Sequence, residues 1–272
     1  MIEFTNQSRT IKYRVSLHGI SLQTGKPVTI TLCPSYTHGI TFYVNGNEII
    51  PCSVSSIMDT TLSTNIGIDH ISIYTIEHLM SALHAYGIDC LDIIVDGDGI
   101  PILDGSSIHF CHLIETAGID DIDIQKKYIK IRKMISINTT NHGSIIALPY
   151  NGFKVSMEID FKHPMIGSQS FTFDHNINYI KDVAPARTFI TMDTANYLMN
   201  NGSIQGGSIN SAILLDNHSV VNTKLKWADE FVRHKVLDFL GDIYMNGPIK
   251  GYFICKCTGH KTHNELLREI VK

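Results

Sequence analysis

The sequence predicts an α+β fold of two similar domains, each a sheet layered with helices. Three observations lead there. Both halves of the chain run strands, helix, strand, helix. The strand segments are short and rich in apolar residues, whereas the helical segments repeat their apolar residues with a helical period. The 272 residues are 43% hydrophobic, enough to bury one large core or two of ordinary size.

The elements follow in order. In the first half, strand-like runs at 12–16 and 27–32 flank a loop at 19–25, and further strands fall at 40–44 and 71–74. A helix is predicted over 76–85, with Thr75 as N-cap, Glu77 in its first turn and Gly87 ending it. A strand at 91–95 follows, and Gly105-Ser106-Ser107 opens a helix that runs to about Ala117. The polar stretch 118–127 reads as a linker, which divides the chain into domains at 1–123 and 124–272. The second half has strands at 128–131, 144–149 and 153–160, a helical segment at 193–201, a Gly206-Gly207 turn and a strand at 211–216. A long helix over 229–245, a strand over 251–257 and a last helix over 263–271 complete it.

Composition narrows the function. The net charge of −4 argues against a nucleic-acid partner, which usually meets a basic face. No apolar run reaches transmembrane length. The polar stretch 1–10 lacks the apolar core of a signal peptide, so the expected compartment is the cytoplasm. Cys33, Cys52, Cys90 and Cys111 are scattered in apolar settings and read as small buried hydrophobes. Cys255 and Cys257 have a metal-binding spacing, but strand composition around them predicts two cysteines on one strand face.

Four segments carry chemistry. In 229–242, His234, Asp238 and Asp242 stand at i, i+4 and i+8 and so line one helix face. Two ligands one helical turn apart converge on a point and suit a metal ion. Taken alone, the segment also fits an ordinary solvated face with a His–Asp pair. Glu77-His78 at a helix start offers a ligand beside a carboxylate that can take a proton from a metal-bound water. Taken alone, Glu77 is more often a plain first-turn acid favoured by the helix dipole. His260, in a glycine-containing loop after a strand, suits an acid or base, and by itself also a plain loop histidine. Thr188-Phe189 sets a hydroxyl, which can stabilise an oxyanion, beside an aromatic ring.

Together these segments resemble the UDP-3-O-acyl-N-acetylglucosamine deacetylases, the zinc enzymes of early lipid A synthesis in Gram-negative bacteria. The resemblance covers nearly the whole chain in order. It takes in Gly19-Ile20-Ser21-Leu22, Asp59-Thr60-Thr61-Leu62, Thr75-Ile76-Glu77-His78-Leu79 and Pro101-Ile102-Leu103-Asp104-Gly105-Ser106. It continues through Phe161-Lys162-His163-Pro164, Ala186-Arg187-Thr188-Phe189, Phe231-Val232-Arg233-His234-Lys235 and Thr258-Gly259-His260. Gln23 departs from it, where the family carries histidine.

The resemblance implies an active site between the two domains. It implies zinc held by His78, His234 and Asp238, a donor set that ferrous iron also fits. Glu77 matches the general base. His260, oriented by Asp242, matches the residue that assists the leaving amine, and Thr188 matches the oxyanion donor. Lys235, Phe161, Phe189, Leu22 and Thr61 match positions near the substrate. Residues 190–210 match an insert that forms a passage for the acyl chain, where Ile190, Met192, Leu198 and Met199 are apolar; simple core packing accounts for them equally. The implied partner is the UDP-3-O-acyl-N-acetylglucosamine substrate, and a monomer is expected. An amidohydrolase for another N-acyl sugar and a catalytically silent sugar-nucleotide binder are the alternatives.

Overall fold

The computed structural model describes residues 4–46, 48–139 and 143–272. Three residues of the polar 1–10 stretch therefore lie outside the described residues. In chain order the first half holds β1 (Gln7–Ile11), β2 (Val15–Ile20), β3 (Pro27–Pro34), β4 (Gly39–Val44) and β5 (Glu48–Pro51). A small antiparallel sheet follows, of β6 (Ile57–Asp59), β7 (Asn65–Ile68) and β8 (Ile71–Ile73). Then come α1 (Glu77–Tyr86), β9 (Cys90–Asp96), α2 (Ile108–Ala117) and β10 (Ile119–Gln125).

The second half holds β11 (Ile129–Lys130), β12 (Ile135–Asn138), β13 (Ser144–Leu148), β14 (Phe153–Asp160) and β15 (Ser168–Phe173). Next are α3 (Tyr179–Asp182), β16 (Phe189–Thr191), α4 (Met192–Asn200) and β17 (Ile213–Leu215). The chain closes with α5 (Glu230–Asp242), β18 (Ile249–Lys256) and α6 (His260–Ile270).

The fold is α+β, and its two large sheets repeat one plan. The first runs β2-β3-β9-β4-β5 and the second β12-β13-β18-β14-β15, with β11 added beside β18. In each, the strand that follows the long helix is central. β9 pairs antiparallel with β3 and parallel with β4, while β18 pairs antiparallel with β13 and parallel with β14. Alternation sets the inward faces: Phe153, Val155, Met157 and Ile159 are buried along β14, and Ile40, Phe42 and Val44 along β4. The helices α1 and α5 pack on each other, and one hydrophobic cluster joins both sheets through them. Both helices are buried almost all round, which is why neither shows a clean amphipathic stripe.

Five expectations need correction. The polar stretch 118–127 is no linker in form: it contains β10, antiparallel to β1, and the expected division between 123 and 124 falls inside that strand. Its aspartates hid a strand whose Ile122 is buried while Asp121 and Asp123 face out. The run 12–16 is split, because the chain bends between β1 and β2 and its Lys12 and Tyr13 N–H groups bond the end of α2. Thr75 makes no side-chain cap bond to α1; its backbone sits in the left-handed region, at φ 60°. Cys255 and Cys257 do not share a face: β18 ends at Lys256, leaving Cys255 buried and Cys257 exposed. The last helix begins at His260 rather than 263, which moves His260 from a loop into a first helical turn.

Candidate metal centre and active site

The site begins at the crossing of α1 and α5. A Cβ at Gly241 would lie 2.0 Å from the Glu77 carbonyl, so only glycine lets the two backbones approach this closely. Just before α1, Thr75 is held at φ 60° with its N–H donating to Asn65 Oδ1 at 2.9 Å. A β-branched residue is strained there, and the surrounding packing holds it. The result sets the first turn of α1 against the last turns of α5, so His78 meets His234 and Asp238.

These three side chains are buried. Asp238 Oδ1 lies 3.3 Å from His234 Nε2 and 3.6 Å from His78 Nε2. The His234 Nδ1–H donates to the Ala186 carbonyl at 3.1 Å, which leaves a lone pair on Nε2. Burial pushes His234 down to about 3, against the pull of Asp238, so the ring is neutral and fit to be a ligand. For Asp238, burial acts to raise its pKa, but His234 and Lys235 outweigh it and hold the carboxyl well below the usual range. Its Oδ2 accepts from Lys235 Nζ at 2.7 Å, whereas Oδ1 is buried with no hydrogen-bond partner.

That orphaned oxygen tests the fit to a metal. Two ligand atoms each 2.0–2.1 Å from a tetrahedral ion stand about 3.3 Å apart. The 3.3 and 3.6 Å separations here have that span, and Asp238 Oδ1 makes no hydrogen bond to either nitrogen. Two other groups fail the test. Asp242 is 2.9 Å from His260 Nδ1 and 2.7 Å from His263 Nδ1, which are hydrogen-bond distances. Near His38 and Cys90, the Asp89 oxygens are taken by Ser8 Oγ at 2.8 Å, the Arg9 N–H at 2.8 Å and Lys126 Nζ at 3.1 Å.

Beside these three side chains stands a second network. Glu77 Oε2 accepts from the Thr64 N–H at 3.0 Å, and burial pushes its pKa up against the pull of His260. Thr64 Oγ1 donates to Asp242 Oδ1 at 2.5 Å, so one buried threonine ties the Glu77 carboxylate to the Asp242 one. Burial alone would raise Asp242, but the neighbouring His260 holds it at about 2. Burial alone would lower His260, but Asp242 outweighs it and holds the ring at about 10. His260 is therefore a cation at neutral pH.

Both groups face one cavity of about 440 Å³, lined by Glu77, His78, His234, Asp238 and His260 at one side. Thr188 lines it as well, brought in where its N–H donates to the Gly105 carbonyl at 2.8 Å. Gly105, at φ 78°, permits this, since a Cβ there would meet the Ser211 carbonyl at 2.3 Å. Leu22, Phe189 and Lys235 also line the cavity. Phe161 lies behind, edge-on to Phe189 with ring centres 5.6 Å apart, and the Lys235 ammonium sits 5.4 Å from the Phe189 ring centre. Ile190, Met192, Leu198 and Met199 line it too; α4 buries none of its residues, so it is a cavity wall rather than core. Thr61 is not brought to the cavity: its N–H and hydroxyl bond Asp59 Oδ1 at 3.2 and 2.7 Å, and its neighbour Leu62 lines instead.

Sequence reasoning missed Thr64 and His263. Thr64 gave no local signal at all. His263 gave one: it stands three residues after His260, which on a helix puts both on one face.

Two imidazoles and a half-satisfied carboxylate, with an acid and a cationic imidazole facing the same cavity, are the equipment of a metal-dependent hydrolase. The chain belongs to the LpxC family of UDP-3-O-acyl N-acetylglycosamine deacetylases, which it matches over residues 8–272. Among its relatives, a UDP-3-O-acyl-N-acetylglucosamine deacetylase of Thermodesulfovibrio yellowstonii is 40% identical, over 97% of this chain and 91% of its own. One of Nautilia profundicola is 41% identical over 97% and 92%, and one of Helicobacter pylori 39% over 96% and 90%. Among the described residues no helix is long and apolar enough to cross a membrane.

Proposed function

We propose that the protein hydrolyses the N-acetyl group of UDP-3-O-(3-hydroxyacyl)-N-acetylglucosamine, giving the 2-amino sugar nucleotide and acetate, the committed step of lipid A biosynthesis. The observation that carries this reading is the buried, unpartnered Asp238 Oδ1 facing two imidazoles in the wall of a largely apolar cavity. His78, His234 and Asp238 hold zinc, with ferrous iron an alternative for the same donors. Bound there, the ion supplies Lewis-acid activation of the attacking water and polarises the amide carbonyl.

The chain's own groups do the rest. Glu77 takes the proton of the attacking water, a task suited to a carboxylate whose pKa is raised toward neutrality. Thr188 donates its hydroxyl to the oxyanion that develops on the acetamide. His260, a cation kept in place by Asp242, delivers a proton to the departing amine. Lys235, Phe189 and Leu22, with Phe161 packed against Phe189, hold the sugar nucleotide, and Thr61, like Phe161, lies outside the cavity lining. The cavity wall made by α4 takes the acyl chain. The protein works in the cytoplasm, as a monomer, and its net charge of −4 suits a small-molecule rather than a nucleic-acid partner.

Metal content and acetate release from UDP-3-O-acyl-N-acetylglucosamine test the reading together, on the protein and on His234→Ala. One metal per chain with acetate release, both lost in the variant, is the expected result. Metal without acetate release would move the substrate to another N-acyl sugar. Absence of metal would return His234 and Asp238 to an ordinary helix face.

A further inference from the structure

Asp242 carries more hydrogen bonds than a carboxylate that merely orients one histidine requires. Its Oδ2 accepts from two imidazoles at once, His260 Nδ1 at 2.9 Å and His263 Nδ1 at 2.7 Å. His263 is fully buried, and its far nitrogen Nε2 is 3.0 Å from the Thr258 hydroxyl. Asp242 is ionised and can only accept, so both Nδ1 atoms carry protons. Burial disfavours a charged His263, so its Nε2 is a bare lone pair that accepts the Thr258 O–H. The direction of every bond from Thr258 to His260 is thereby fixed.

We infer that His263 is a positioning residue for the deacetylation, fixing the Asp242 carboxylate so that His260 presents its Nε2–H to the substrate cavity in one orientation. The geometry has no slack. His260 and His263 stand one helical turn apart at the start of α6, and Thr258 lies two residues before it. The chain at Cys257 is bent into the left-handed region, at φ 47°, and thereby returns Thr258 toward the helix it precedes. With Thr64 on Oδ1, the carboxylate is gripped at both oxygens and cannot rotate. Removing the His263 donor leaves Oδ2 held by His260 alone, so the carboxylate and the ring it orients are less firmly fixed. The effect falls on the proton-delivery step and leaves substrate binding alone, because His263 does not line the cavity.

The inference rests on the deacetylase reading, and the test separates the two. Asparagine places a donor on Cγ, where histidine has Nδ1, so His263→Asn keeps the bond to Asp242; His263→Leu removes it. Histidine side-chain NMR is read first, because it needs no turnover. The His260 Nδ1–H resonance stays in place in His263→Asn and moves in His263→Leu. In the deacetylase assay, kcat falls about tenfold in His263→Leu at unchanged KM and stays within about threefold in His263→Asn. In a His260→Ala background the His263 changes have no further effect on kcat. Because leucine at this buried position can cost the fold, Thr258→Val is measured beside it. It keeps the shape, and it lowers kcat severalfold with His260 present and not in its absence. An unmoved His260 resonance, equal kcat in the Asn and Leu variants, or an undiminished His263→Leu loss without His260 would overturn the inference. Lack of acetate release by the parent protein would instead sink the deacetylase reading, and NMR would still decide this one.

Discussion

One turn apart on α5, Asp238 and Asp242 are both buried, both ionised and both flanked by two histidines, yet they are built for different ends. Asp242 is held by hydrogen bonds: two imidazole N–H groups on one oxygen and a threonine hydroxyl on the other. Asp238 accepts one, from Lys235, and turns its other oxygen toward two imidazole nitrogens 3.3 and 3.6 Å away without a hydrogen bond to either. An ionised oxygen buried without a donor costs several kcal/mol, so such an arrangement persists only where something else takes the place of the donor. Satisfaction, rather than burial or charge, is what separates the carboxylate that supports the structure from the one proposed to hold an ion.

The sharpest break of this comparison is Asp238→Ala. It removes a proposed ligand and nothing that the protein's own donors rely on except Lys235. Metal content drops below stoichiometric by atomic absorption, and acetate release falls at least about a thousandfold. Full activity with bound metal would show that His78 and His234 suffice, and that Asp238 is only the Lys235 partner. Next in size is Glu77→Gln, which leaves the Thr64 N–H its acceptor and removes the base. Turnover falls roughly a hundred- to ten-thousandfold with metal content and melting temperature unchanged. Near-normal turnover would return Glu77 to a helix-start acid.

Asp242→Asn examines the other side. It exchanges a carboxylate gripped by three donors for an amide that can satisfy only some of them. The loss is about 3 kcal/mol, which lowers Tm by roughly 6–12 °C in calorimetry. The pH dependence carries the same signature with a definite sign. Asp242 is held at about 2 against its ordinary 3.8, so its contribution is complete above 3.8 and lost as pH falls through 2. His260 is held at about 10 against its ordinary 6.5, so its contribution is complete below 6.5 and lost as pH rises through 10. The parent protein therefore loses stability between pH 6.5 and 10 by this pair, and Asp242→Asn flattens that interval. An equal slope in both proteins would refute the assigned pairing.

Much of this site was legible in sequence because the α-helix is a ruler. The four-residue spacing of His234 and Asp238 puts them on one face whatever the rest of the chain does. Helix starts are legible too, which is why Glu77-His78 stood out. The crossing that joins the two segments was not, since nothing local in Gly241 says that α1 will lie against it. Thr64 was invisible for the same reason: its role exists only through Glu77 and Asp242, respectively 13 and 178 positions away. The strand β10 was hidden by its own aspartates, which a surface-facing edge of a two-stranded ribbon accommodates and a composition-based reading assigns to a linker.

The smallest expected effect sets two neighbours against each other. Thr61 and Leu62 are adjacent in a segment that resembles the family closely, and resemblance gave Thr61 the substrate contact. In the fold, Thr61 spends its N–H and hydroxyl on Asp59, closing a local turn, while Leu62 reaches the cavity. A hydroxyl bonded to a carboxylate two residues away in exposed structure stabilises the turn by about 1 kcal/mol and touches no ligand. Thr61→Ala should then leave kcat/KM within about twofold of the parent. Leu62→Ala, by removing apolar area from the cavity wall, should raise KM severalfold at constant kcat. A larger loss in Thr61→Ala than in Leu62→Ala would mean that substrate binding opens the Asp59 turn and recruits the threonine, placing the contact with the residue the resemblance chose.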